Sequence, residues 1–106
     1  MIKLIDGVRQ NKKHPETFSI PSRKDKLNIG AGTYVKLGFI NPDKGRQDPD
    51  TVDERMWVLV QTMVGPRRYQ GILHNEPLSF RRKVLKYGDK VVFEARHILD
   101  IIWNGE

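Results

Sequence analysis

Apolar residues along this chain come in short blocks with a period of two, separated by Gly, Pro and Asp, and that pattern predicts strands more than helices. Residues 34–40 alternate Val35, Leu37 and Phe39 on one face with Tyr34, Lys36 and Gly38 on the other, as a half-buried strand does. Residues 56–64 are apolar on both faces, with Met56, Val58 and Val60 on one and Trp57, Leu59 and Met63 on the other. That double-sided character predicts a central strand. Gly65, Pro66, Arg67 and Arg68 form a turn, and residues 69–73 return as the hairpin partner, since short connections join neighbours. Asn75-Glu76-Pro77 ends that strand, because proline resists an inner ladder. Residues 78–83 carry no clear period, and Tyr87-Gly88-Asp89-Lys90 is a turn before Val91-Val92-Phe93.

The last block, residues 94–103, supports two readings. As a helix it groups Ala95, Ile98, Leu99 and Ile102; otherwise a tight turn at residues 95–97 precedes a final strand, favoured by the β-branched Ile98, Ile101 and Ile102. At the other end, residues 6–16 have few apolar side chains and no period, and read as an irregular lead-in or mobile arm. A single β-rich domain is then expected over residues 17–106, with residues 1–16 as the arm. Ser22 followed by Asp25 reads as a helix cap for a turn or two carrying Leu27 and Ile29, stopped by Gly30-Ala31-Gly32. Residues 41–53 hold two prolines, a glycine and four aspartates, a loop too polar to bury. The sum is a mainly β fold: a small bent antiparallel sheet or SH3-like half-barrel with a short N-terminal helix or turn. An OB-fold needs a longer helix between strands, and none fits between Leu73 and Val91.

Composition sharpens this. At 106 residues, with 38% hydrophobic and 30% charged residues, the chain has room for one core. It has no cysteine, which removes disulfides, thiolate nucleophiles and thiolate metal sites, and a cytoplasmic location fits. The N-terminus meets Asp6 before a signal-peptide apolar core forms, and no apolar run approaches the roughly 20 residues needed to span a bilayer, so no membrane partner is expected. The net charge of +6 is uneven: residues 1–33 carry +4, residues 34–54 carry −2 and residues 55–106 carry +4.

Four segments together resemble a known family: Glu54-Arg55-Met56-Trp57-Val58, the run from Gly71 to Pro77, the run from Leu85 to Phe93, and His97-Ile98-Leu99-Asp100. They are similar to the bacterial and phage domain of unknown function 2314, the YegJ-like proteins, and the likeness covers roughly residues 17–103. The family's role is unassigned. Some similar small domains accompany polymorphic toxins as immunity proteins, so the resemblance implies protein binding. The basic arm and the 41–53 loop depart from the family and receive no role from it.

The chemistry-bearing residues form no catalytic signature. Glu54 and Met56 alternate with Arg55 and Trp57, so Arg55 stacked near Trp57 would present a flat binding surface; the plainer reading buries Trp57 in the core and leaves Glu54 and Arg55 as a solvated strand start. Asn75 and Asp89 sit at turns, where their side chains bond the local backbone. His14, His74 and His97 have no ligand spacing, so no metal or other cofactor is expected, and His97 fits a cap of the last tight turn. Ser19, Ser22 and Ser79 lack a nucleophile elbow. The primary expectation is therefore a non-catalytic protein-binding module, immunity- or adaptor-like, using Glu54, Arg55, Trp57, Asn75, Asp89, His97 and the acidic loop. The alternative is nucleic-acid binding through Lys12, Lys13, Arg67, Arg68, Tyr69, Arg81, Arg82 and Lys83, basic clusters interleaved with tyrosine; a solvated basic rim is the plainer reading of those clusters. An enzyme centred on Glu54, Asp89 and His97 requires the three to line one pocket.

Overall fold

A computed structural model describes residues 2–44 and 51–103, and among these it is mainly β. Six strands, β1 (Lys3–Leu4), β2 (Tyr34–Ile40), β3 (Glu54–Gly65), β4 (Arg68–Leu73), β5 (Lys90–Glu94) and β6 (Ile98–Ile102), form one antiparallel sheet, accompanied by helices α1 (Gly7–Lys13) and α2 (Arg23–Leu27). The ladder runs β6–β2–β3–β4–β5. A three-residue 3₁₀ turn at Ala95–His97 joins β5 to β6, so the two ends of that ladder are drawn together into a nearly closed barrel. The turn-plus-strand reading of the C-terminal block is the one adopted.

Strand β2 uses both of its edges. One pairs with β3 from Tyr34 opposite Leu59 to Phe39 opposite Glu54; the other pairs first with β6 and then with β1 at Phe39 and Ile40. The alternation read from the sequence holds: Val35, Leu37 and Phe39 are fully buried, and meet Met56, Val58 and Val60 of β3, Tyr69 and Leu73 of β4, Phe93 of β5 and Ile98 of β6. Phe80 and Leu85, from the stretch without a strand, close one end, Phe80 standing edge-on to Phe39. β3 is interior to the sheet, as its double-sided pattern predicts, but only as far as Val60; residues 61–64 run out of the barrel and leave Met63 and Val64 exposed.

The N-terminal segment departs from the expected irregular arm. Asp6 caps α1 by accepting the Arg9 N–H, and its second oxygen accepts from the Arg96 guanidinium, which ties the helix to the 3₁₀ turn. Ile5 lies against Ile40 and Leu99 in a second small core outside β2, with Phe18, Ile20 and Val52 around it. The apolar residues that do this are too few and too closely spaced to show a period. Gly38 makes room for them, since a Cβ there would stand 2.6 Å from the Ile5 side chain. The Ser22 cap is present as read, accepting the Asp25 N–H. Of the 41–53 loop, residues 45–50 lie outside the described residues; its near ends are tied, with Asn41 N–H donating to Asp53 and Asp53 N–H to the Phe39 carbonyl.

The bend of the β3–β4 hairpin rests on Gly71. Its inward position faces Val58, and a Cβ built there would stand 2.5 Å from the Leu59 carbonyl oxygen, a backbone atom that cannot swing aside. Just beyond it the β3–β4 register slips between Val60 and Thr62, which tightens the local twist. Gly71→Ala is therefore expected to destabilise the fold by about 1–3 kcal/mol, as overpacking does. Denaturant unfolding of the two proteins checks this, and Gly30→Ala, where a Cβ meets nothing within 4 Å, is the control.

Candidate binding face

Because paired residues in a ladder point to the same side, the registers fix which side chains share the outer face of the barrel. Ile102 stands opposite Tyr34, Tyr34 opposite Leu59, and Leu59 opposite Ile72. These four form one apolar row across β6, β2, β3 and β4, about 14 Å wide at the usual strand spacing. Ile102 is exposed and the other three are half-buried. Val92 on β5, opposite Gln70, adds a further exposed apolar side chain. Beside the row, His74 lies 5.2 Å from the Tyr34 ring and 5.5 Å from the exposed Tyr87.

A second row lies alongside. Asp100 is opposite Lys36 and Lys36 opposite Trp57, with the Lys36 ammonium 4.7 Å from the indole centroid. Trp57 is half-buried on this outer side and does not fill the core. Arg55 does not stack on it either: the register places Arg55 opposite Gly38, and its guanidinium lies 5.0 Å over Phe18, the side chain packed outside β2. The result is two separate cation–ring pairs, Arg55 on Phe18 and Lys36 on Trp57, beside a cleft whose walls include Asp100 and Trp103.

The remaining residues expected to bind, Glu54, Asn75, Asp89 and His97, make hydrogen bonds within the fold. The Glu54 carboxylate accepts the backbone N–H groups of Leu78 and Ser79 at 3.0 and 2.9 Å and so pins the loop after β4. The Asn75 side chain accepts the Trp57 N–H, prolonging the ladder past the end of β4. Asp89 accepts both the backbone N–H and the ammonium of Lys86, and these hydrogen bonds hold its carboxyl below the usual aspartate range against the opposing effect of burial. Glu54, Asp89 and His97 therefore serve three different segments and are not drawn into one polar centre.

The nucleic-acid set is divided. Tyr69 is 1% exposed, stacked on Phe93, and its hydroxyl donates to the Lys26 carbonyl, so it offers no ring to a base. It sits on the inward face of β4, directly opposite the buried Phe93 of β5. Arg68 pairs with Glu94, Arg81 with Asp43 and Arg82 with Glu76, while Lys83 is exposed. Arg67 and Arg68 lie at the start of β4 and residues 81–83 follow its far end, so these are separate patches. Lys12 and Lys13 belong to α1.

No family model, curated protein or solved structure matches the chain. Among the described residues no helix is long and apolar enough to cross a membrane.

Among the described residues, His97 is the titratable group most changed by folding. Its Nδ1 accepts the Glu94 N–H at 2.9 Å while the Glu94 carboxylate accepts the His97 N–H, a reciprocal cap that needs the neutral ring. Burial, reinforced by Arg96, lowers its pKa from 6.5 to about 4. A lowered histidine pKa means that the unfolded chain binds the proton more tightly, so this stabilisation is complete above about pH 6.5 and is lost as the pH falls toward 4. Up to about 3 kcal/mol is at stake. Denaturant titrations at pH 6.5 and 4.5 are expected to show that loss, and His97→Asn, which retains an acceptor without a titration, is expected to shrink it; an equal loss in both proteins contradicts the assignment.

Proposed function

We propose that the chain is a non-catalytic protein-binding module of the SH3-like small-barrel type, immunity- or adaptor-like and cytoplasmic, which docks its partner on the outer sheet face. The observation that carries this reading is the apolar row Ile102, Tyr34, Leu59 and Ile72, flanked by Trp57 and Val92. Aromatic and aliphatic side chains grouped on an outward surface and rimmed by charges are what protein interfaces use at their centres. Here the rim is Asp100, Lys36, Arg55 and Lys90. The strand order with a 3₁₀ turn before the closing strand supports the SH3-like assignment. The four-segment likeness to the YegJ-like family supports the binding role, and we retain it as part of the proposal. Nucleic-acid binding is the weaker reading, because Tyr69 is buried, although Tyr87 is exposed, and three of its arginines face carboxylates.

The immobilised full chain is expected to retain one protein from lysate at stoichiometric level after nuclease treatment. Ile72→Glu and Trp57→Ala, both on the outer face, are each expected to weaken that complex at least tenfold, about 1.4 kcal/mol, without lowering the unfolding midpoint appreciably. Equal affinity in both variants, or capture of nucleic acid alone with a steep salt dependence, overturns the proposal.

A further inference from the structure

The two helices, the β3–β4 turn and the 3₁₀ turn line a cleft of about 710 Å³. That volume is typical of a site for a small organic ligand. One wall is apolar, built by Val8, Ile20, Leu27, Pro66 and Ala95. Arg23, Lys26, Arg67 and Arg96 also line it, with Glu94 the acidic residue among the lining side chains. Glu94 is already engaged: its carboxylate accepts from Arg96, caps the 3₁₀ turn and pairs with Arg68. Arg96 in turn is shared between Glu94 and Asp6. Among the described residues Arg23, Lys26 and Arg67 form no ion pair of their own, so the cleft lining is net positive.

Lys26 is the decisive residue. Only 5% of it is exposed, and its backbone is fixed, with the N–H donating to the Ser22 carbonyl and the carbonyl accepting the Tyr69 hydroxyl. Among the described residues no carboxylate or other acceptor is placed within bonding distance of its ammonium; Asp6, the carboxylate that acts on it through space, is committed to Arg9 and Arg96. Burial lowers its pKa accordingly, with Arg23 adding to the effect. Among the described residues the buried side-chain nitrogen without a partner is Gln10 Nε2, not the Lys26 ammonium, so Lys26 hides its apolar stem and presents its charge to the cleft. Arg67 carries a second cost, a left-handed backbone at φ 56° that glycine would adopt without strain.

We propose that this cleft binds a small organic anion with an apolar body, its charged group held by Lys26 with Arg23 and Arg67 and its body lying against Val8, Leu27 and Ala95. The experiment is an NMR titration of the ¹⁵N-labelled full chain with 1-naphthoate, alongside the neutral 1-naphthylmethanol and inorganic phosphate. Naphthoate is expected to shift the amides of Val8, Leu27 and Ala95 and to bind at least tenfold more tightly than either control. Lys26→Met is expected to weaken naphthoate binding at least tenfold while the protein stays folded, and Arg67→Gly, which relieves the backbone, is expected to weaken it several-fold. Equal binding of the neutral alcohol, undiminished binding by both variants, shifts confined to the Tyr34–Ile72 face, or no binding at millimolar naphthoate overturns the proposal.

Discussion

The pairing of β2 along both of its edges is the constraint on which the remainder depends. A strand so placed is held on one side by β3 and on the other by β6 and then β1, and its inward residues Val35, Leu37 and Phe39 are wholly withdrawn from water. Because side chains alternate with a strict period of two, a slip of one residue would turn those three outward and bring Tyr34, Lys36 and Gly38 inside. The cost of that exchange locks the register, and the register in turn decides that Lys36 lies between Trp57 and Asp100 and that Tyr34 lies between Leu59 and Ile102. The outer face is thus a by-product of how the core is buried.

Two glycines let this ladder curl. Gly38 lets the N-terminal segment close over the outside of β2, and Gly71 lets β4 press against the β3 backbone where the hairpin twists. The N-terminal segment then covers one end of the outer surface and leaves the other open, separating a filled side around Ile5, Ile40 and Leu99 from an open row around Leu59 and Ile72. The same segment also supplies α1, which together with α2 and the 3₁₀ turn frames the basic cleft. The short, capped, weakly periodic elements of this protein are the ones that build its concave surfaces.

Strands with clean alternation were legible from sequence, as were the Ser22 cap, the turns at residues 65–68 and 87–90, and the role of His97 as a cap, because each depends on neighbours a few residues away. The β1–α1 segment was not, since its order comes from Arg96, Leu99 and Gly38, which lie far along the chain. Arg55 and Trp57 were correctly placed on one strand face, yet their partners, Phe18 and Lys36, follow from a β2–β3 register that no local pattern reveals. Tyr69 was misjudged for a related reason: beside Arg67 and Arg68 it looked like part of a basic surface, but alternation along β4 turns it inward. Lys26 went unnoticed because a lysine on a short polar helix gives no sign of burial until the cleft around it is seen.

The most direct test is the set of through-space proton contacts of the Trp57 ring by NMR. If β2 and β3 are paired as described, the indole shows strong cross-peaks to the Lys36 side chain and none to Phe93 or Leu73. Cross-peaks from the indole to Phe93 and Leu73 would place Trp57 inside the barrel, shift the register by one residue, and contradict both the core and the outer face described for this protein.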